Sequence, residues 1–235
     1  MISGKNSNYL SPPPSSSPVK GEEKNGISGW TLVICVTGVL AVELAARVVT
    51  SNTPYQPMLI LGCARLLQIL LIVLIVLFWG SGLSSVGLAR SRLVPAIKRG
   101  LIWSLGFGVV AGFVFVVLFF AGINVLTAIQ ARLPTQHTDV ILYFLVGALV
   151  APVAEELFFR GLLYGFFKRW GVVAAVILST MLFVLPHAIH QRIPITQVVG
   201  GVVFAVAYEV EGSLMVPIII HVLGNMAIFS ISLWA

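Results

Sequence analysis

Charged residues are scarce in this chain of 235 residues, because Asp, Glu, Lys and Arg make up 9% and hydrophobic residues 58%. A soluble domain usually carries about a quarter charged residues, which keep its surface wet. Here 14 basic and 8 acidic side chains are too few to cover a soluble protein of this size. The composition therefore excludes a soluble globular enzyme, a disordered protein and a nucleic-acid binder.

Cysteine is scarce too, with Cys35 and Cys63 each inside an apolar stretch. Two cysteines make no disulfide framework, and the sequence contains no Cys-x-x-Cys metal clip. We therefore predict that both are small buried hydrophobic residues.

The amino-terminal segment differs in composition from the rest of the chain. Residues 1–28 are rich in Ser, Pro and Lys, so we predict a disordered polar tail there and a transmembrane bundle over residues 29–235. The tail is too long, and lacks a clear small-residue cleavage site, for a secretory signal. The first apolar segment is therefore expected to remain as a membrane anchor.

Long apolar runs dominate the remainder of the sequence. A hydrocarbon core of about 30 Å needs about 20 apolar residues in a helix. Seven segments are candidates on that rule: 30–49, 58–79, 101–128, 140–166, 172–188, 195–208 and 214–234. The sixth is short and Gly-rich, so it is either re-entrant or buried in the bundle. The predicted fold class is all-α, a polytopic membrane helix bundle of about seven (six to eight) transmembrane helices with a buried polar site.

Basic residues are distributed unevenly over the connections between these spans. Nine lie in the tail, the second loop and the fourth turn: Lys5, Lys20, Lys24, Arg90, Arg92, Lys98, Arg99, Lys168 and Arg169. The alternate loops carry only Arg132 and Arg192. This asymmetry predicts a cytoplasmic N-terminus. Residues 87–99 mix basic and apolar side chains, which fits either an amphipathic interfacial segment or a solvated loop.

Six glutamate and arginine residues lie within the apolar spans, where each charge costs about 2.5–3.5 kcal/mol on insertion scales. Glu43 and Arg47 share a helix face and are predicted to pair. Arg65 is expected to reach the membrane surface or another helix's carboxylate. We predict no catalytic role for these three residues.

The other three ionisable residues fall within six positions of one span. Glu156 precedes Arg160 by four residues, the favourable order for an ion pair along a helix. Glu155 points about 100° away from Glu156 and has no such partner. An unpaired carboxylate in a low-dielectric site can accept a proton. Pro152 removes a backbone donor nearby and can open the helix to water. A purely structural role for both acids is the alternative.

Histidine is the next candidate for chemistry. His187 follows Pro186 near the end of the fifth span, and His221 lies one turn before Asn225 on the last span. A helix–helix hydrogen bond is the alternative role for such a histidine. His137 is predicted to be solvated, and His190 is secondary to His187.

These residues form three motifs in order along the chain. They read EELFFR with Glu155, Glu156 and Arg160, FVLPH with Phe183 and His187, and HVLGN with His221 and Asn225. The set resembles the CAAX-protease and bacteriocin-processing (CPBP, or Abi) family of intramembrane proteases over residues 80–230. The sequence lacks the His-Glu-x-x-His motif of site-2 zinc proteases and the marks of presenilin-like and rhomboid-like enzymes.

The resemblance implies an intramembrane endopeptidase that hydrolyses a peptide bond of a membrane-associated or prenylated substrate. Glu155, helped by His187, would activate water. His221 and Asn225 would stabilise the oxyanion. Two residues would have supporting roles, Arg160 positioning Glu156 and Phe183 packing beside the site.

Cofactor use is open at this point. His187, His221 and Glu155 could bind zinc with one open position. The neutral amide of Asn225 is a poor zinc ligand and a good oxyanion donor, which favours a site with no cofactor.

Other functions and properties also stay open. A non-proteolytic scaffold, of the immunity or chaperone-like type, has the same fold. A proton-coupled transporter could use the same acids and histidines as a relay. The expected partners are the lipid bilayer and a protein or peptide substrate, without nucleic acid. The family's breadth favours a bacterial inner (cytoplasmic) membrane.

Overall fold

The computed structural model of the chain describes residues 26–131, 133–188 and 194–234. Within these ranges the chain forms seven long helices and no strand, which confirms the predicted all-α bundle. The helices are α1 (Gly29–Asn52), α2 (Pro57–Phe78), α3 (Leu93–Phe120), α4 (His137–Trp170), α5 (Val172–Ala188), α6 (Ile195–Glu211) and α7 (Met215–Ser232).

Five of these helices are long and apolar enough to cross a membrane: α1, α2, α3 with the turn before it, α4 and α7. The fifth helix, α5, is also apolar but has 17 residues. The sixth, α6, has 17 residues as well and ends in two glutamates. Large apolar side chains cover the outer surface of the bundle, as expected of a surface in contact with lipid. The chain is a multi-pass integral membrane protein.

The third predicted span, 101–128, is wrong at both ends. The helix begins at Leu93 and includes much of the basic segment 87–99, which is therefore neither a loop nor a separate interfacial helix. It ends at Phe120 because Gly122 adopts a positive φ of 76° and the last N–H groups bond back to Leu118 and Phe119. One short helical turn, Leu126–Ile129, follows.

Successive helices run in opposite directions between two ends of the bundle. At the end that carries the second loop and the fourth turn, the Gly87 carbonyl accepts from the Leu214 N–H at 3.0 Å, and Arg169 Nη2 donates to the Ile27 carbonyl at 2.8 Å. This is called the basic end, and it contains Arg90, Arg92, Lys98, Arg99, Lys168 and Arg169. At the opposite end the N–H of Ala131 donates to Ser232 Oγ.

The predicted boundary of the polar tail needs a correction. Residues 1–25 lie outside the described residues, but Ile27 and Ser28 belong to the bundle. Ile27 is buried among apolar residues of α2 and α4, and Ser28 Oγ caps α1 by accepting from the Thr31 N–H at 3.1 Å. The bundle therefore starts before residue 29.

Helices α1 and α2 share a polar cluster, defined as Glu43, Arg65 and Gln68. Arg65 Nη1 donates to Glu43 Oε2 at 3.0 Å and to Gln68 Oε1 at 2.6 Å. Gln68 Nε2 in turn donates to the same carboxylate at 3.3 Å. Arg47, most of whose side chain is exposed, lies 3.9 Å from Glu43. Arg65 thus meets another helix's carboxylate, one of the two outcomes predicted for it.

Candidate active site

A fully buried ion pair forms the base of the candidate site. Glu156 and Arg160 lie one turn apart on α4, each with 0% of its side chain exposed, and Arg160 Nη1 donates to Glu156 Oε1 at 2.8 Å. His221 Nδ1, from α7, lies 2.8 Å from that same oxygen. The structure therefore contains the ion pair that the spacing predicts, and adds the histidine to it. Breaking such a pair on one side leaves an uncompensated buried charge.

The helix that carries these acids is irregular. Helix α4 is π-helical over Phe144–Val150 and again over Leu157–Tyr164, with an α-helical segment, Ala151–Glu156, between them. Such π turns are rare and are frequently found at functional sites. Both acids are at the end of the α-helical segment, immediately before the second π stretch.

Pro152 explains a hydrogen bond between α4 and α7. In a π turn an N–H bonds to the carbonyl five residues earlier, as the Ala151 N–H does with Val146. Pro152 has no N–H, so the next bond of this series, to the Gly147 carbonyl, cannot form. Asn225 Nδ2 donates to that carbonyl instead, at 3.0 Å. One of the two N–H bonds of the Asn225 amide is therefore used for helix packing.

Aromatic rings and a backbone carbonyl surround the Arg160 guanidinium. Its Nη2 donates to the Gly201 carbonyl at 3.1 Å. Its central carbon lies 4.6 Å from the centre of the Phe183 ring and 5.2 Å from that of Phe204. These are cation–π distances, and such contacts are strongest where water is excluded. The charge of Arg160 is thus compensated by Glu156 and held by α5 and α6.

The proton on His221 can be assigned from its partners. The Glu156 oxygen at Nδ1 belongs to a carboxylate that already accepts from Arg160, so it accepts again and Nδ1 must carry the proton. Nε2, on the other side of the ring, lies 3.8 Å from Glu155 Oε2. In the neutral imidazole Nε2 is therefore an acceptor facing the second acid. A carboxylate that fixes the tautomer of a histidine in this way is the arrangement found in catalytic triads.

Glu155 differs from its neighbour in exposure. Its side chain is 19% exposed, against 0% for Glu156. The 3.8 Å between Glu155 Oε2 and His221 Nε2 is too long for a direct hydrogen bond. Glu155 is thus a partly accessible carboxylate beside a fixed imidazole, an arrangement that can take up a proton.

His187 is one turn beyond the centre of this cluster. Its Nδ1 lies 2.9 Å from the Phe183 carbonyl of the same helix, and its ring centre is 5.2 Å from that of Phe183. Because a carbonyl is only an acceptor, Nδ1 carries the proton and Nε2 is left as an acceptor. Phe183 also contacts the His221 ring edge-on at 5.8 Å, so one phenyl ring touches both histidines.

The structure thus gathers some of the predicted site residues more tightly than others. Glu155, Glu156, Arg160 and His221 form one cluster, and Phe183 packs against it. His187 and Asn225 are at its margin, each hydrogen-bonded to a backbone carbonyl. The predicted secondary candidate His190 lies outside the described residues.

The possible zinc ligands named from the sequence are spread over three helices. In the part of the chain that the structure describes, no three His, Cys, Asp or Glu side chains are grouped so as to hold a metal ion. The proposed ligands His187, His221 and Glu155 are all described, and they are not gathered around one point. The buried Arg160 cation beside Glu156 further disfavours a dication at this position.

Two residues of the site carry no titratable group and were not predicted. Gly201 supplies a carbonyl to Arg160, and an added Cβ would lie 2.8 Å from Thr180 Cγ2. The Phe204 ring stacks on His221, with ring centres 4.6 Å apart and 22° between planes. The only available signal was the pair of glycines in the sixth apolar segment, which permits a close approach of helices.

The motif region has a family match. Residues 137–227 match the sequence model of the type II CAAX prenyl endopeptidase Rce1-like family. This segment is similar to that family. It begins at the first residue of α4 and ends two residues after Asn225, so it contains every motif residue. The predicted resemblance is confirmed over this segment, which is shorter than the predicted range of 80–230.

A comparison with curated proteins gives a relative that matches part of the chain. An Escherichia coli protein described as an uncharacterized 24.3 kDa protein is 30% identical over an alignment of 88 residues, with 35% of this chain covered. The chain spans 41% of that relative's length. The search of solved structures gave no match.

Proposed function

We propose that the chain is a membrane-embedded endopeptidase that hydrolyses a peptide bond of a membrane-associated protein or peptide. The observation that carries this proposal is the arrangement of Glu155, His221 and Glu156. A partly exposed carboxylate faces the acceptor nitrogen of an imidazole that a buried carboxylate fixes from behind. The Rce1-like match supports the same reaction class, because the family description is that of an endopeptidase.

Water activation is assigned to Glu155. A single water molecule donates one O–H to Glu155 and its other O–H to His221 Nε2. A lone pair of its oxygen is then left for attack on the scissile carbonyl carbon. Glu155 takes the water proton as the new C–O bond forms. The C–N bond then breaks, and Glu155 returns the proton to the leaving amine nitrogen. The products are a carboxylic acid and an amine, and no other reactant is needed.

The remaining motif residues have supporting roles in this proposal. Asn225 has a second N–H beyond the one bound to Gly147, and we assign that N–H to the oxyanion. His187 presents Nε2 as an acceptor and assists the proton transfer. Arg160 pairs with Glu156 and holds its carboxylate in place, so that Glu156 keeps His221 in one tautomer. His221 thus has a different role from the one expected from the sequence. Because its Nε2 is an acceptor, it binds the attacking water and does not donate to the oxyanion.

Catalysis without a metal is part of the proposal. It is supported by the separation of the three donors and by the Arg160 cation. Purified protein treated with a strong chelator should retain its activity, and elemental analysis should find less than one zinc per chain. Stoichiometric zinc that is lost in a His187→Ala variant would overturn this part.

The proposed location is a bacterial inner membrane, with the basic end facing the cytoplasm. The substrate class includes the prenylated C-terminus of the family description, a leader peptide or a membrane protein. The match to the Rce1-like family supports the first of these.

The decisive experiment compares membrane proteomes of a wild-type strain and a Glu155→Ala strain. We expect precursors to accumulate in the variant, and the purified wild-type protein in liposomes should cleave the corresponding synthetic peptides. If the proteomes are identical and Glu155→Ala rescues a deletion phenotype, the chain acts as a scaffold and the proposal is wrong.

A further inference from the structure

Helix α6 contributes to the site although it carries none of the motif residues. Its Gly201 carbonyl accepts from Arg160, and its Phe204 ring lies parallel to the His221 ring at 4.6 Å. Phe204 is almost completely buried. A face-to-face contact with a catalytic imidazole is more than general packing, because it constrains the plane of the imidazole ring.

The His221 ring needs such a constraint. Among the described residues its one hydrogen bond, from Nδ1 to Glu156, fixes a single atom and leaves the ring free to pivot about it. A pivot would swing Nε2 away from Glu155, which lies 3.8 Å away on the far side of the ring. Phe204 covers one face of the ring, and Phe183 meets the imidazole nearly perpendicular, at 86°.

We propose that Phe204 is a positioning residue, which fixes the ring plane of His221 and thereby the direction in which Nε2 faces Glu155. The catalytic consequence rests on the proposed function, whereas the orientation of the ring does not.

The Phe204 ring is itself held from several sides. The Arg160 guanidinium lies over it at 5.2 Å, and the Phe183 ring contacts it at 6.4 Å, edge to face. Gly200 leaves room for its tip, because a Cβ at Gly200 would lie 3.2 Å from Phe204 Cζ. Few alternative positions are therefore open to this ring.

Helix α6 is also tied to its neighbours at the basic end. Glu209 accepts from Lys168 Nζ at 2.8 Å and from the Tyr164 hydroxyl at 2.7 Å, both on α4. Glu211 pairs with Arg99 and accepts from Trp103 Nε1 at 2.9 Å, both on α3. These contacts prevent α6 from sliding along its axis, so Phe204 keeps its level relative to His221.

The test uses full-length protein in detergent micelles with three substitutions. Phe204→Leu removes the aromatic face, Phe204→Tyr keeps it, and Phe166→Leu is the matched control. The Phe166 ring, which is partly buried, likewise lies beneath a guanidinium, that of Arg169 at 3.7 Å, but it is not in contact with His221. Two quantities are measured: kcat and KM on a precursor peptide, and the Nδ1–H proton resonance of His221 in protein labelled with ¹⁵N-histidine, assigned through His221→Gln.

In Phe204→Leu we expect kcat to fall about ten- to a hundredfold with KM close to wild type, since small misplacements of reacting groups have effects of this size. The His221 Nδ1–H resonance should broaden or disappear as the ring pivots and its proton exchanges. Phe204→Tyr should restore both, and Phe166→Leu should change neither.

Unchanged kcat and an unchanged resonance in Phe204→Leu would overturn the proposal. If Phe204→Leu does not fold, Phe204→Met, which conserves volume without a flat face, takes its place with the same criteria. If wild-type protein cleaves none of the peptides, the proposed function fails. The resonance in the Phe204 variants still decides whether this ring positions His221.

Discussion

Two acid–base clusters can be compared within the described part of the helical bundle, and one of them has the components of a catalytic site. In the α1–α2 cluster, Glu43 accepts from Arg65 and Gln68, and its side chain is 31% exposed. In the α4–α7 cluster, Glu156 is fully buried and accepts from Arg160 and His221. Both clusters compensate a carboxylate with an arginine, so a charge pair within the membrane does not by itself indicate catalysis.

The two clusters differ in whether a reactive side chain is left over once the ion pair has formed. In the α1–α2 cluster every charged group is engaged in binding the two helices together, and a histidine is missing. In the α4–α7 cluster the pair fixes an imidazole, and Glu155 remains as a second carboxylate with 19% exposure. A spare proton acceptor beside a fixed imidazole is therefore the feature that separates a reactive cluster from a structural one.

The largest expected effect is on activity, in Glu155→Gln. Removing the proposed general base should lower kcat/KM about 10²–10⁴-fold, because the amide cannot take the water proton. Glu43→Gln is the matched variant in the other cluster and should leave kcat/KM near wild type. Initial rates on an accumulated precursor peptide measure both. Equal losses in the two variants would remove the functional distinction between the clusters.

The next effect is on stability, in Arg160→Met. The substitution leaves Glu156 as a buried charge without its cation, which typically costs about 3–5 kcal/mol of unfolding free energy. Arg65→Met should cost less, because Glu43 is partly exposed and Arg47 is still nearby. Equilibrium unfolding in mixed micelles compares the two variants. A larger loss of unfolding free energy in Arg65→Met than in Arg160→Met would contradict the idea that burial of the carboxylate sets the cost.

A smaller loss of stability is expected for Gly201→Ala. The new Cβ would lie 2.8 Å from Thr180 Cγ2 and 3.3 Å from Phe183 Cδ1, and overpacking of this kind costs about 1–3 kcal/mol. Gly112→Ala on α3 is the control, since a Cβ there meets nothing within 4 Å. Thermal unfolding of the two variants should show a lower midpoint for Gly201→Ala only.

The smallest effect concerns Glu211, at the basic end and outside the clusters. Burial alone would raise its pKa, but hydrogen bonds from Trp103 and Arg99 and the Arg99 charge lower it overall. A lowered folded-state pKa stabilises the fold above the unfolded value of about 4.3, and this contribution is lost as pH falls through the folded-state value. Arg99 is mostly exposed, so the contribution should stay below about 1 kcal/mol. The free energy of unfolding, measured from pH 7 down to acid pH, should fall less steeply in Glu211→Gln than in wild type.

Much of the fold was predictable from the sequence, because the apolar runs are long and the charges between them are few. Helix ends were harder to predict. Gly122 closes α3 within an apolar run that continues beyond it, so hydropathy alone placed that end eight residues too late. The start of α3 was placed too late because its first turns carry the basic residues of the membrane surface.

Within the site, the sequence predicted pairs on one helix better than contacts between helices. The Glu156–Arg160 pair follows from a spacing of four residues. The partner of Asn225 does not, because it depends on a π turn and on the missing N–H of Pro152. Gly201 and Phe204 were not predicted for a related reason, since they act through a carbonyl and a ring face, which apolar segments offer at many positions.

The placement of Glu156 and Arg160 on a single helix also has a consequence for biogenesis. A chain is made from its amino terminus, so α4 enters the bilayer before α7 has been synthesised. At that stage His221 and Asn225 are absent, and the two charges have only each other. Because they are one turn apart, they can neutralise one another inside the inserting helix, which lowers the cost of its passage into lipid. The same pair that later fixes the imidazole thus first serves the insertion of the helix that carries it.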